Sequence, residues 1–371
     1  MTETLPILSL LLGVAALTIQ FVVPEKYQKV TGMATIFLVG FIAVLSFLDT
    51  YSIYVLLAVS IVLNFVFYRK QNFMRRLVDF FEEKYKREEF AEIIRWGGAL
   101  SKPLWLSQNI KIRLKIGKYV EKSAPNLGNN MALVKALIND IGWTKIELKD
   151  YSEAEEVIKE GIKIAEKEIN KEGTKASVKE MYHYMIAKGY RHLFGSYIRQ
   201  DNNLKKAKEY LDKSYEIIDT ELAGINKVEM IAEYYFAKAL FECCNGEHHE
   251  ALEDIKKAEQ GYSNLKEKEW KIKIMARKGD IMLASQQDNY IDEAIKIFND
   301  GLEKSQKYQY LQQELNNLRG LGTCYIVKGK EYNNEARKNL NRAKKIATKL
   351  SLTYELGKIE EQISNLNSKQ T

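Results

Sequence analysis

Two patterns of apolar and polar residues divide the chain. From Leu5 to Val23 it is almost wholly apolar with no ionised side chain, and the same character returns from Gly32 to Tyr68, broken only by Asp49-Thr50-Tyr51-Ser52. As one helix, 32–68 would extend about 55 Å at 1.5 Å per residue, against a hydrocarbon core of about 30 Å. The break at Asp49 therefore predicts two spans, and the chain is expected to carry three transmembrane helices, 5–23, 32–48 and 52–68. Met1-Thr2-Glu3-Thr4 lacks the basic start of a signal peptide, so 5–23 reads as a retained helix.

Beyond residue 70 the pattern turns to helical period. Phe73, Leu77, Phe80, Phe81 and Tyr85 share one side of a helix over 71–86, inside a basic juxtamembrane linker of 70–87. From 88 to 366 small residues recur at fixed steps. Gly142 is followed by Tyr151 nine residues on, Ala154 three further and Gly161 seven beyond; Ala239, His248, Ala251 and Ala258 repeat that spacing. Small residues so placed let two antiparallel helices approach closely, with Tyr151 or His248 filling the turn.

Looser copies run Gly98–Ile110–Gly117, Ala187–Ala207–Ser214, Gly279–Ala294–Gly301 and Gly322–Ala336–Ala343. The seven-residue step is constant while the turns vary, as when helix seams are fixed and surface loops accept insertions. The third copy is expected to hold a long loop around Gln200–Asn203, the fifth three added residues near Gln286–Tyr290 and the sixth two near Gly329. The alternation Ile110, Ile112, Leu114, Ile116 could suit a strand; helix is preferred because Lys111, Lys115, Lys118 and Lys122 then share one face. A final amphipathic helix over 353–366 caps the array, and 367–371 is a tail. The expected fold is all-α: three transmembrane helices, then a solenoid of about six hairpins with a capping helix.

The hairpins built on Gly142, Tyr151, Ala154, Gly161 and on Ala239, His248, Ala251, Ala258 resemble tetratricopeptide (TPR) repeats. The added turn residues and the lack of the usual proline between repeats mark a divergent array. The resemblance implies a right-handed superhelix whose first helices line a concave groove, a binding architecture and rarely an enzyme. It also implies that the residues three before and one after each first-helix small residue face that groove. Those are Asn139 and Trp143, Tyr184 and Lys188, Phe236 and Leu240, Ala276 and Asp280, and Arg319 and Thr323. Asn139, Trp143, Tyr184, Lys188, Phe236 and Arg319 are the candidate partner contacts.

Charge sharpens this picture at one place. Residues 69–122 hold fourteen basic against seven acidic side chains, which accounts for essentially all of the net +7. Lys26 and Lys29, then Arg69, Lys70, Arg75 and Arg76, orient the spans with the N-terminus outside and the array in the cytoplasm, at the plasma membrane. Arg69, Lys70, Arg75, Arg76 and the Lys111–Lys122 stripe are the candidate contacts to anionic lipid. A single basic stripe without recognition aromatics does not indicate nucleic acid.

Chemistry is sparse. Gly320-Leu321-Gly322 lacks the third glycine of a dinucleotide loop, and no Walker, zinc-helix or nucleophile-elbow motif occurs. His248 and His249 point different ways at a helix start, and Cys243, Cys244 and Cys324 have no metal-ligand or disulfide spacing, as suits a reducing setting. No catalytic, cofactor or metal residue is expected. The function indicated is a membrane-anchored scaffold binding a protein or peptide in its groove. The alternatives are a ligand-responsive sensor using the same groove and, more weakly, a transport or pore subunit.

Overall fold

The computed structural model describes residues 74–200, 203–263, 265, 268–350 and 352–368. The chain divides into two units, Met1–Arg76 and Leu77–Thr371, and the second carries the repeat array. Residues 74–86 are helical, and the ring of Phe81 is fully buried, stacked on Tyr119 at 6.3 Å.

Six helical hairpins follow. The first pairs α1 (Phe90–Leu106) with α2 (Ile110–Ser123). In the second, α3 comprises an α-helical start (Asn130–Lys135), a π-helical stretch (Ala136–Trp143) and a last α turn (Thr144–Glu147); its partner is α4 (Tyr151–Ile169). The others are α5 (Ala176–Arg199) with α6 (Leu204–Glu221), α7 (Gly224–Cys244) with α8 (His248–Ser263), α9 (Lys268–Ala284) with α10 (Asp288–Lys307), and α11 (Leu311–Lys328) with α12 (Asn333–Leu350). The capping helix α13 (Thr353–Ser368) closes the end, with Ile359 and Leu366 buried against the sixth hairpin.

The seams are as close as the small residues suggest. A Cβ on Gly161 would lie 2.8 Å from Ile138 Cγ1, and Ala154, Ala207, Ala239, Ala251, Ala258, Ala294, Ala336 and Ala343 are wholly buried. At Gly142 the π turn adds a second constraint, since the carbonyl of Leu137, five residues back, would sit 2.8 Å from a Cβ. One buried cluster runs from Val134 to Ala237 and another from Ala232 to Leu366, and α7 contributes residues to both. The turns repeat in backbone conformation too. Gln108, Lys149, Gly246 and Gln286 each take positive φ two residues before the second helix of their hairpin begins. Only the fourth hairpin meets this left-handed position with the residue that adopts it freely, Gly246 at φ 86°.

Several expectations need correction. Among the described residues no helix is long and apolar enough to cross a membrane, because each helix of the array exposes charged residues on its outer side. The fold class supported is an all-α repeat array. The expected spans 5–23, 32–48 and 52–68 lie outside the described residues, and an integral plasma-membrane protein with its N-terminus outside finds no support. The lipid contacts lose their basis with it. Arg69 and Lys70 are not among the described residues; Arg75, Arg76, Lys111, Lys115, Lys118 and Lys122 are exposed. The four lysines do share one face of a true helix, α2.

One hairpin is offset from the sequence reading. In the first, the seam residue is Gly97, whose Cβ would collide with Val120, while Gly98 faces open space. In the third, Ala187 is fully buried and its carbonyl accepts from Ser214 of α6, while Gly195 packs on Trp143 of α3. α5 runs to Arg199 and α6 begins at Leu204, so most of the extra spacing lies within α5.

Candidate binding groove

The first helices of all six hairpins contribute to one cavity of about 480 Å³ on the inner side of the array. Its floor near the first hairpin is a buried ion pair. Arg113 of α2 meets Asp140 of α3 at 3.0 Å, Ser101 of α1 donates to the same carboxylate, and Arg113 also donates to Thr144 Oγ1 at 3.3 Å. Burial raises the Asp140 pKa against the pull of the Arg113 charge, and it lowers that of Arg113.

Midway, α5 supplies a chain of charges. Arg191 Nε lies 2.5 Å from Glu233 of α7, and Lys188 lies 3.7 Å from the same carboxylate. Burial opposes the charge on Glu233, yet Arg191 and Lys188 outweigh it and hold its pKa below the usual carboxylate value. Burial likewise opposes the Lys188 charge, and Glu233 more than compensates. Trp143 is clasped here, its ring 4.6 Å from His192 and under the guanidiniums of Arg191 and Arg199 at 5.7 and 5.2 Å.

The two partners of His192 define its tautomer. Arg191 can only donate to Nδ1, at 3.1 Å, so Nε2 carries the proton toward Asn139 Oδ1 at 3.2 Å. Burial, followed by the charges of Arg191 and Lys188, pulls its pKa well below the ordinary value. The unfolded chain takes up this proton near pH 6.5 while the folded chain does not. Stability is therefore lost as the pH falls below about 6.5, by up to about 1.4 kcal/mol per unit, until the folded imidazole itself titrates. Urea unfolding of the protein and of His192→Gln between pH 7.5 and 5.5 should show a shallower slope for the variant. Identical slopes would remove His192 as the cause.

The far end is built from α7, α9 and α11. Lys273 sits 3.9 Å from the ring of Trp105 on α1 and 4.6 Å from that of Trp270, with Glu269 at 2.8 Å. Burial drags the Lys273 pKa down despite that carboxylate. Trp270 stacks on buried Tyr262 at 4.7 Å and meets Phe236 edge-on. The Arg277 guanidinium lies over Phe236 at 5.4 Å.

Of the sequence candidates, Asn139, Trp143, Lys188 and Phe236 line the cavity, as do Ala276 and Asp280. Tyr184 stands behind it, accepting from Lys188 and donating to Glu229, both at 3.1 Å, its pKa pushed up to about 12 chiefly by burial. Arg319 and Thr323 face an adjoining open cleft under α13, where Arg319 holds Glu355 at 3.2 Å. Sequence reasoning missed Trp105, Arg191, His192, Arg199, Glu233, Trp270, Lys273 and Arg277. A signal for some existed. Glu233, Lys273 and Asn316 each stand six before the small seam residue of their first helix.

Twelve- and seven-residue seam steps, a repeated turn and a groove lined by first helices decide the architecture. The array is a TPR-like helical repeat. No family model matches the chain, and no curated protein matches it. Among solved structures, a Rap protein complexed with competence and sporulation factor is 11% identical, with a TM-score of 0.46 over 72% of this chain and 73% of that one. A signal-transduction ATPase with numerous domains and a tetratricopeptide-repeat sensor, from Pyrococcus horikoshii, is 17% identical. Its TM-score is 0.42 over 74% of this chain, which spans 43% of that protein. The TPR-like assignment rests on the hairpins themselves.

Proposed function

We propose that the chain is a binding module that holds a short peptide segment of a partner in its groove, with no catalytic step of its own. The observation that supports this is the convergence of six helices on one cavity of about 480 Å³. That size lies in the range of ligand pockets and suits a few residues of extended chain better than a folded surface. Aromatic rings and paired charges alternate along it, the composition from which binding hot spots are made.

The test is blockade. Asn316 lines the cavity and accepts from Gln312 at 3.4 Å, so Asn316→Trp fills space without breaking the core. A mixture of hexapeptides should bind the full chain and lose at least about tenfold in affinity with Asn316→Trp, equivalent to about 1.4 kcal/mol. Lys115→Trp, on the outer face of α2, is the control and should bind normally. Equal binding by Asn316→Trp would place the binding surface elsewhere.

A sensor remains a second reading because of one contact. Lys273 bridges the fifth hairpin to Trp105 of the first, so a ligand entering between them must alter that contact. Peptide-dependent change in tryptophan emission, absent in Trp105→Phe, would favour it.

A further inference from the structure

Five cations of the groove have a carboxylate within reach: Arg113 at 3.0 Å, Lys188 at 3.7 Å, Arg191 at 2.5 Å, Arg199 at 3.0 Å and Lys273 at 2.8 Å. Arg277 has none. Among the described residues its guanidinium makes no ion pair or hydrogen bond, and its Nε is buried without a partner. It is held only over the Phe236 ring. Asp280, one turn on, acts on it through its charge but forms no ion pair with it, and lies 3.9 Å from Arg319. The guanidinium is half-buried and only Nε is shut off from water, so its two terminal nitrogens open on the groove with nothing in the protein hydrogen-bonded to them among the described residues.

The arrangement makes sense when the counter-charge arrives with the ligand. A guanidinium is a planar fork that takes a carboxylate through two parallel hydrogen bonds. The wider groove agrees, because its lining with the Asp140 of its floor holds seven lysines and arginines against six aspartates and glutamates, with His192 neutral. Phe236, beneath the guanidinium, offers an apolar surface beside the anion site.

We propose that the groove takes an acidic peptide segment, one carboxylate of which pairs with Arg277 while an adjacent side chain lies against Phe236. This rests on the groove being the binding surface. The carboxylate can come from an Asp or Glu side chain or from a free C-terminus, and both present the same atoms to the fork.

Two positional-scanning hexapeptide libraries, one ending in a free carboxylate and one in an amide, separate the sources on the full-length protein. Selection of Asp or Glu at one position in the amidated library indicates a side chain, and retention of the free-acid library alone indicates the C-terminus. Either supports the pairing. Arg277→Gln should weaken the retained acidic peptides at least about tenfold and erase the acidic preference, while Arg277→Lys keeps part of both. The melting temperature of Arg277→Gln should stay level, since no ion pair or hydrogen bond is lost. Unchanged acidic preference in Arg277→Gln, or a clear fall in its melting temperature, overturns the proposal and makes Arg277 structural. Peptides retained without acidic preference, and lost in Asn316→Trp, overturn the pairing and leave the groove. No retention by either library sinks both.

Discussion

Arg113→Met should lower the free energy of unfolding by about 3–5 kcal/mol, the cost of leaving a buried charge without its partner. Asp140 is 8% exposed, and removing Arg113 strips it of its only ion pair among the described residues, leaving the Ser101 hydroxyl as its donor. Three helices meet at this point, so the loss should appear as a lower urea midpoint of the whole array. The companion variant separates charge from packing. Arg113→Met with Asp140→Leu replaces both charges by apolar groups and should recover most of the stability. If the double variant is as unstable as the single one, shape at this junction matters more than charge.

Phe298→Ala should cost a similar amount, about 3–5 kcal/mol, by a different route. Phe298 of α10 is fully buried, and its ring lies between two glycines on successive first helices. A Cβ on Gly279 would come within 2.6 Å of its Cζ, and one on Gly320 closer still. Truncation opens a cavity lined by backbone on both sides, where neighbouring side chains cannot collapse. Gly320→Ala should also destabilise, by about 1–3 kcal/mol, through overpacking. Phe298→Leu should relieve Gly320→Ala while costing stability alone. Thermal unfolding of the four proteins closes the cycle, and strict additivity would show that ring and glycine do not interact.

The hairpins were legible because close approach of two helices demands small residues, and small residues at steps of twelve and seven are conspicuous. The helical reading of Ile110–Ile116 held for the same kind of reason, since charge periodicity outvoted apolar alternation. In the third hairpin Ala187 does mark the seam, where Ser214 of α6 donates to its carbonyl. The length of α5 was not legible: it runs on to Arg199, and a template centred on Ala187 does not reach Arg191, His192 and Arg199 in the groove. Part of the candidate site was recoverable from a consistent spacing. The rest was not, for Trp105 reaches the groove only through the winding of the array, and the missing partner of Arg277 is a property of three dimensions. The apolar N-terminal stretches gave the strongest sequence pattern of all, yet the described helices that follow are amphipathic throughout and none can span a bilayer.

The contact of Trp105 with Lys273 has a consequence for how such an array can change over time. In an open stack each repeat touches its neighbours alone, so repeats can be duplicated or deleted with local effect. Here the first and fifth hairpins meet across the groove at 3.9 Å. One extra hairpin between them would rotate and raise everything that follows, carrying Lys273 away from the indole. The number of repeats in this stretch is therefore counted by the molecule itself, and gain or loss of a unit must be matched by a new closing pair.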